Sequence, residues 1–153
     1  MDSPPPAAAY PGTFLCDTTV LFAASDAAHR RHDRSLALVT SAEPRRAFVA
    51  AHSLAELYAT LSATPGRKVR RVDQVLQAVE HVARSFTPVT LDLDGYLWVL
   101  RHVAGAEARS GQVYDALILK CAERAGVDTV FTWNPVHVMR VAWPGMAERI
   151  RTP

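Results

Sequence analysis

Short apolar runs alternate along this chain with longer segments in which apolar residues recur at helical spacing. The short runs predict β-strands, and the longer segments predict amphipathic helices. We expect strands at residues 13–17, 47–51, 88–92 and 127–132, with a fifth strand at the edge at 148–152. We expect helices at residues 18–24, 27–39, 53–63, 72–86, 94–103 and 112–125, the last of them ended by Gly126.

The alternation of strands with helices favours an α/β fold. Parallel strands need a crossover connection, and a helix follows nearly every predicted strand. Helices would then cover both faces of a parallel sheet, and a ligand crevice would lie beyond the carboxyl ends of the strands. The pattern therefore predicts a parallel sheet of four to five strands with polar residues of interest at its carboxyl edge.

Length and composition are consistent with one domain. The 153 residues are 49% hydrophobic, which is enough for a substantial core. Residues 1–12 are rich in proline and alanine and are expected to form a disordered tail, so that residues 13–153 would be a single domain. The net charge of +2 and the pI near 8.7 are only mildly basic, so charge alone does not indicate a nucleic-acid partner.

The sequence predicts a cytoplasmic protein. No stretch is apolar enough to span a membrane, and the first residues lack the basic and apolar segments of a secretion signal. Cys16 and Cys121 lie in apolar segments without zinc-ligand spacing, so we expect buried thiols. Reduced thiols are typical of the cytosol.

Four oxygen-bearing side chains fall at predicted strand ends or in first helical turns. They are Asp17, Glu56, Asp115 and Asn134. Each has a purely structural interpretation, because aspartate and asparagine are common helix N-caps and Asn134 precedes a proline. Glu56 follows Ser53 at the spacing of a capping box. Taken singly, these residues leave helix capping and catalysis both open.

Asp115 fits the capping interpretation least well. The helical step places it beside Ile118, Leu119 and Ala122, away from the charged side chains of the same predicted helix. A carboxylate that faces the interior costs on the order of several kcal/mol unless a partner compensates its charge. Oxygen ligands gathered at the end of a parallel sheet suit Mg²⁺ or Mn²⁺.

Four segments carry a resemblance to a known family. They are FLCDTTVLF around Asp17, HSLAELYATLSATPG around Glu56, GQVYDALILKCAERAG around Asp115 and DTVFTWNPVHV around Asn134. In this order they resemble the PIN domain, and more narrowly the VapC-type toxins of toxin–antitoxin pairs. The resemblance spans most of the chain from Phe14 to Pro153 and favours catalysis over capping.

The resemblance implies a three-layer α/β/α sandwich that cleaves RNA with Mg²⁺ or Mn²⁺ and leaves 3′-hydroxyl and 5′-phosphate ends. Asp17, Glu56 and Asp115 match the three acidic positions of the family and would be both catalytic and metal ligands. Asn134 occupies a fourth catalytic position that is often aspartate, so the site loses one negative charge. Thr18 and Thr132 would orient ligands or water from outside the coordination sphere, unless they are local caps.

A basic cluster lies at the predicted start of the long helix over 72–86. Its members are Arg67, Lys68, Arg70 and Arg71. The N-terminal end of a helix favours anions, so an RNA phosphate bound there would offset an unfavourable placement of cations. We expect an RNA contact, with a solvated loop as the alternative.

The leading hypothesis is a metal-dependent endoribonuclease that acts as a toxin and is held inactive by a protein antitoxin. The resemblance leaves open whether the active form is a homodimer. A non-catalytic RNA- or protein-binding module with the same fold is the alternative, and Asn134 is the feature that favours it. A phosphotransferase with Asp17 as nucleophile is disfavoured, because no second aspartate follows within Asp17-Thr18-Thr19.

Overall fold

A parallel sheet forms the centre of the molecule. The computed structural model describes residues 10–63 and 70–153. Within them the strands are β1 (Phe14–Cys16), β2 (Ala47–Ala50), β3 (Thr87–Val89), β4 (Thr129–Phe131) and β5 (Ile150–Arg151). They pair in the order β3-β2-β1-β4-β5, and every pairing is parallel. The predicted parallel sheet is confirmed, including its fifth strand at the edge.

Helices connect the strands as the pattern predicted. They are α1 (Thr18–Ser25), α2 (His32–Thr40), α3 (Ala51–Ala63), α4 (Val72–Ser85), α5 (Leu93–Gly105), α6 (Gln112–Ala125) and α7 (Pro135–Arg140), and a short 3-10 helix (Ala147–Arg149) precedes β5. Helix α2 starts later than residue 27 because Asp26 forms a turn, in which its carboxylate accepts from the Ala28 N–H at 3.3 Å. Asn134-Pro135 indicated the start of a helix, and α7 begins there, but no range was predicted because its 6 residues are too few for a periodic signal.

The sheet separates two hydrophobic cores. Helices α1 to α4 pack on one face, whereas α5, α6 and α7 pack on the other. Strand residues alternate between the two cores, so Phe14 and Cys16 face the first core and Leu15 faces the second. The three-layer α/β/α arrangement implied by the resemblance is therefore confirmed.

The folded domain begins before residue 13. The Tyr10 ring packs edge-on against Phe14 and Phe131, with centroid distances of 5.9 and 5.2 Å. Its hydroxyl pairs with the Thr129 hydroxyl, and Arg46 donates to its carbonyl. The predicted disordered tail is therefore wrong for residues 10–12, while residues 1–9 lie outside the described residues.

Both cysteines are buried and free, as predicted. Cys16 belongs to the core on one face of the sheet and Cys121 to the core on the other, so the sheet separates the two thiols. Burial raises the pKa of Cys121 to about 11 and that of Cys16 well above its usual range. In the parts of the chain that the structure describes, no helix has the length and apolar character needed to cross a bilayer.

The strand order places a topological switch point beside β1. From β1 the chain proceeds through β2 to β3 on one side, and it later adds β4 on the other side. A crevice opens at such a point beyond the carboxyl ends of parallel strands. Asp17 directly follows β1, and Thr132 directly follows β4. The fold therefore positions both residues at this crevice.

Candidate active site

Asp17 is held rigidly at the end of β1. It caps α1, and its Oδ1 accepts hydrogen bonds from the Val20 N–H at 3.1 Å and the Thr19 hydroxyl at 2.6 Å. Only 2% of the residue is exposed. Burial raises the pKa of Asp17, and hydrogen bonds from Thr132 and Thr19 oppose that rise. Asp17 is therefore both a helix cap and a buried carboxylate at the crevice.

Glu56 reaches the same region from α3. Its Oε2 accepts a hydrogen bond from the Thr18 hydroxyl at 2.7 Å, which links α3 to the first turn of α1. Helix α3 begins at Ala51, directly after β2, so Ser53 lies inside the helix. The buried Ser53 hydroxyl has no hydrogen-bond partner among the described residues. The capping-box interpretation of Glu56 is therefore wrong.

Asp115 completes an acidic centre with Asp17 and Glu56. It is half-buried in the first turn of α6. The pKa of Asp115 is raised to about 6, mainly by burial and also by the nearby charges of Asp17 and Glu56. Within residues 10–63 and 70–153, no cationic side chain forms an ion pair with any of the three. The structure thus brings together the three carboxylates that the sequence singled out.

His52 lies one helical turn before Glu56 and was not singled out from the sequence. Its ring lies 6.3 Å from that of Tyr114 on α6. Burial lowers the pKa of His52, although the nearby Glu56 charge acts in the opposite direction. Its Nε2 is buried and has no partner among the residues described. A neutral imidazole does not compensate the charge of the acidic centre.

Asn134 precedes α7 on the β4 side of the crevice. It occupies the N-cap position, but its side chain makes no capping hydrogen bond. Its backbone N–H donates to the Thr132 hydroxyl at 2.9 Å, and the Trp133 N–H donates to the Thr19 hydroxyl at 2.9 Å. Because Thr19 and Thr132 also bind Asp17, these bonds connect the ends of β1 and β4. The amide of Asn134 is not the cap that the following proline suggested.

The donor chemistry of the acidic centre fits a divalent ion. Three carboxylates that repel one another are hard oxygen ligands of the kind that Mg²⁺ and Mn²⁺ prefer. In the described part of the chain, no three Asp, Glu, His or Cys side chains converge closely enough to hold an ion as they stand. Instead, Thr18 holds Glu56 and Thr19 holds Asp17. Ion binding would require the carboxylates of the acidic centre to move closer together.

Two cavities meet at Asn134. The first, of about 520 Å³, is lined by Asp115 together with the basic side chains of Arg109, His137 and Arg140. Neither of these arginines forms an ion pair with any residue that the structure describes. We refer to this space as the basic cavity.

The second cavity, of about 340 Å³, lies against the start of α1. Besides Asn134, its wall includes Phe22, His29, Arg31 and Trp133. The Arg31 guanidinium lies 4.5 Å from the centre of the Trp133 ring and donates to the Trp133 carbonyl at 2.9 Å. We refer to this space as the aromatic cavity.

The basic cluster predicted before α4 is described only in part. Arg67 and Lys68 lie outside the described residues. Arg70 donates to the Ser25 carbonyl at 3.1 Å and approaches the Asp26 carboxylate to 3.6 Å. Arg70 thus ties the start of α4 to the end of α1.

The arginines that line the two cavities were missed in the sequence. Arg31, Arg109 and Arg140 come from separate segments, so the sequence does not reveal that they lie near one another or near the acidic centre. Arg71, which belongs to such a run, already makes two hydrogen bonds with Asp73, at 3.0 and 3.1 Å. The contact of residues 67–71 with RNA stays a prediction.

Comparison with known proteins identifies the family. A family profile for the PIN domain matches residues 14–136. The chain belongs to the PIN-domain family. The resemblance seen in the sequence is therefore confirmed, and the matched region includes Asp17, Glu56, Asp115 and Asn134.

The fold of this PIN domain is also found among solved structures. It is similar to VapC20 of Mycobacterium tuberculosis, a toxin that cleaves the sarcin-ricin loop, with a TM-score of 0.59. The likeness covers 77% of this chain and 87% of VapC20 at 15% sequence identity. No match was found among curated proteins.

Proposed function

We propose that this PIN domain is an endoribonuclease that uses Mg²⁺ or Mn²⁺ to hydrolyse RNA phosphodiester bonds. The proposal is carried by the meeting of Asp17, Glu56 and Asp115 at the carboxyl edge of the sheet, where no cation among the described residues pairs with them. Three carboxylates would repel the phosphate of a substrate. Bound by these carboxylates, a divalent ion would offset that repulsion.

The three carboxylates would hold the ion, and the amide oxygen of Asn134 would add a neutral ligand or bind a water. When bound, the ion supplies Lewis acidity, which activates water for attack on phosphorus and stabilises the phosphoryl oxygens. Asn134 contributes no charge, so the chain would rely on Asp17, Glu56 and Asp115 for electrostatic attraction.

Three hydroxyls would act as positioning groups. Thr18 donates to Glu56 at 2.7 Å, and Thr19 donates to Asp17 at 2.6 Å. Thr132, which is fully buried, also bonds Asp17. Hydrogen bonds of this kind restrict the orientations that ligating carboxylates can adopt.

The basic cavity supports a nucleic-acid substrate. Arg109 and Arg140 line it together with Asp115, so an RNA strand at the acidic centre could place a neighbouring phosphate there. A guanidinium can bind a phosphate through two parallel hydrogen bonds. His137 on the same wall would add a further donor.

We also propose that the protein is the toxin of a toxin–antitoxin pair, acts in the cytoplasm and is inhibited by a protein antitoxin. Membership of the PIN family and the fold shared with VapC20 support this role. Expression of the chain alone in bacterial cells should arrest growth, whereas the Asp115→Asn variant should not.

The cleavage test uses purified protein and RNA that includes a sarcin-ricin loop. Cleavage should require Mg²⁺ or Mn²⁺, stop in EDTA and be lost in Asp115→Asn. The matched control is Asp94→Asn, which changes an exposed carboxylate in the first turn of α5 and should cut normally. Full activity in EDTA, or in Asp115→Asn, would refute the proposal. Metal-independent RNA binding without any cleavage would favour the non-catalytic module instead.

A further inference from the structure

The aromatic cavity has a composition different from that of the acidic centre beside it. Three aromatic side chains, Phe22, His29 and Trp133, line it together with the guanidinium of Arg31. Its volume of about 340 Å³ falls within the range typical of small-ligand sites. No carboxylate lines this cavity among the residues that the structure describes.

The walls of this cavity are held in place by contacts within the protein. Trp133 donates from Nε1 to the buried Ser35 hydroxyl at 2.8 Å, and its backbone carbonyl accepts from Arg31. Phe22 and His29 pack edge to face, with ring centroids 5.9 Å apart. A ligand that enters would therefore meet a largely preformed surface, which lowers the entropy cost of binding.

His29 offers a hydrogen-bond donor at the rim. The Arg31 backbone N–H donates to His29 Nδ1 at 3.1 Å, which leaves the Nε2–H as the donor of the ring. That N–H makes no hydrogen bond to the residues described here. A planar aromatic ligand with acceptor atoms on its edge matches this combination of rings and donor.

The position of the aromatic cavity relative to the acidic centre indicates which kind of ligand it would bind. Thr18, which holds Glu56, and Asn134, which also borders the basic cavity, both belong to its wall. The aromatic cavity thus lies beside the acidic centre. A strand whose phosphodiester lies at the carboxylates would extend a neighbouring base toward Phe22 and Trp133 and a neighbouring phosphate toward Arg109.

We propose that the aromatic cavity binds one unpaired nucleobase of the RNA strand, next to the bond that is cut. The inference rests on the proposed ribonuclease function and deepens it by assigning a base-binding site. Base stacking on aromatic side chains and on arginine is tolerant of sequence and requires an unstacked base.

The test uses short single-stranded RNAs of one sequence in which a single base is replaced by an abasic residue at successive positions. At one position next to the cleaved bond, loss of the base should lower kcat/KM of the wild type by roughly 5- to 100-fold, as expected for one stacked base. Phe22→Leu, which keeps apolar bulk, should cut intact RNA more slowly and lose most of this abasic penalty. Phe22→Tyr, which keeps an aromatic ring at this position, should keep the abasic penalty.

Two further measurements separate the possible outcomes. Arg140→Ala, in the basic cavity, should slow cleavage of all the RNAs to a similar degree and keep the abasic penalty. The base-binding assignment would be overturned if wild type and Phe22→Leu, both folded, show an abasic penalty of equal size. That result would leave the ribonuclease proposal intact. In EDTA, fluorescence anisotropy of the same RNAs should show the penalty in binding. If the binding penalty appears but the protein cuts none of the RNAs even with Mg²⁺ or Mn²⁺, the ribonuclease function would be overturned and the assignment of base binding to the aromatic cavity would be supported.

Discussion

Replacing Asp115 with asparagine should stabilise the protein when metal is absent. The folded structure raises the pKa of Asp115 from an ordinary value of 3.8 to about 6, because burial and two nearby carboxylates disfavour its charge. A shift of this size corresponds to about 3 kcal/mol at 1.36 kcal/mol per unit. Solvent screens part of this cost for a half-buried group, so we expect a gain of about 1–2 kcal/mol.

The sign of the effect follows from proton linkage. A carboxyl group whose pKa is raised by folding disfavours the folded state once it is ionised. The advantage of Asp115→Asn should therefore be absent below pH 3.8, grow between pH 3.8 and about 6, and be complete at pH 8. For a chain of this length the expected increase in Tm at pH 8 is about 2–8 °C.

Thermal unfolding in EDTA, followed by circular dichroism from pH 4 to pH 8, would measure this difference. Addition of Mn²⁺ should reverse the order, because the ion stabilises only a folded state that binds it. Asp94→Asn serves as the control and should show neither the pH-dependent gain nor the reversal. Equal Tm values for wild type and Asp115→Asn at every pH, or a less stable variant at pH 8, would refute the electrostatic account.

Two other variants test separate parts of the site. In Glu56→Gln the side chain can still accept the hydrogen bond from Thr18 but carries no charge. RNA cleavage should therefore fall by at least about 100-fold with the fold intact. Normal turnover in this variant would show that Glu56 is not part of the metal site. Replacing Arg109 and Arg140 with alanine should weaken RNA binding. The plot of the log association constant against log salt concentration should become less steep, by about 0.7 for each phosphate that the protein no longer binds. Arg71→Ala tests the predicted RNA contact before α4 in the same assay: a smaller slope would support that contact, whereas an unchanged slope would show that Arg71, which is paired with Asp73, takes no part in it.

The fold and the positions of Asp17 and Asp115 were accessible from sequence because each depends on local patterns. Asp17 follows a short apolar run, and Asp115 falls on the apolar side of a periodic helix, so both stand out from their immediate neighbours. Glu56 was found through the family resemblance. Its local pattern suggested a capping box, but α3 starts two residues before Ser53 and removes that role.

The residues around the acidic centre were not accessible in this way. Arg109 and Arg140 line one cavity although all of α6, all of β4 and most of α7 separate them in sequence. Thr19 contacts both Asp17 and Trp133, and only the adjacent packing of β1 and β4 creates that contact. Such sites are assembled by long-range packing, which neither periodicity nor residue spacing encodes.

The direct junction between β2 and α3 limits how the length of this chain can change. Strand β2 ends at Ala50 and α3 begins at Ala51, so no loop separates Glu56 from the sheet. One inserted residue at this junction would turn Glu56 by about 100° around the helix axis and shift it by about 1.5 Å. Before α6, by contrast, residues 106–111 form a connection in which Glu107 and Ser110 both adopt a φ of 53°. Insertions are thus compatible with the site before Asp115 but not before Glu56, and the length of the β2–α3 junction is a criterion for recognising other chains with this geometry.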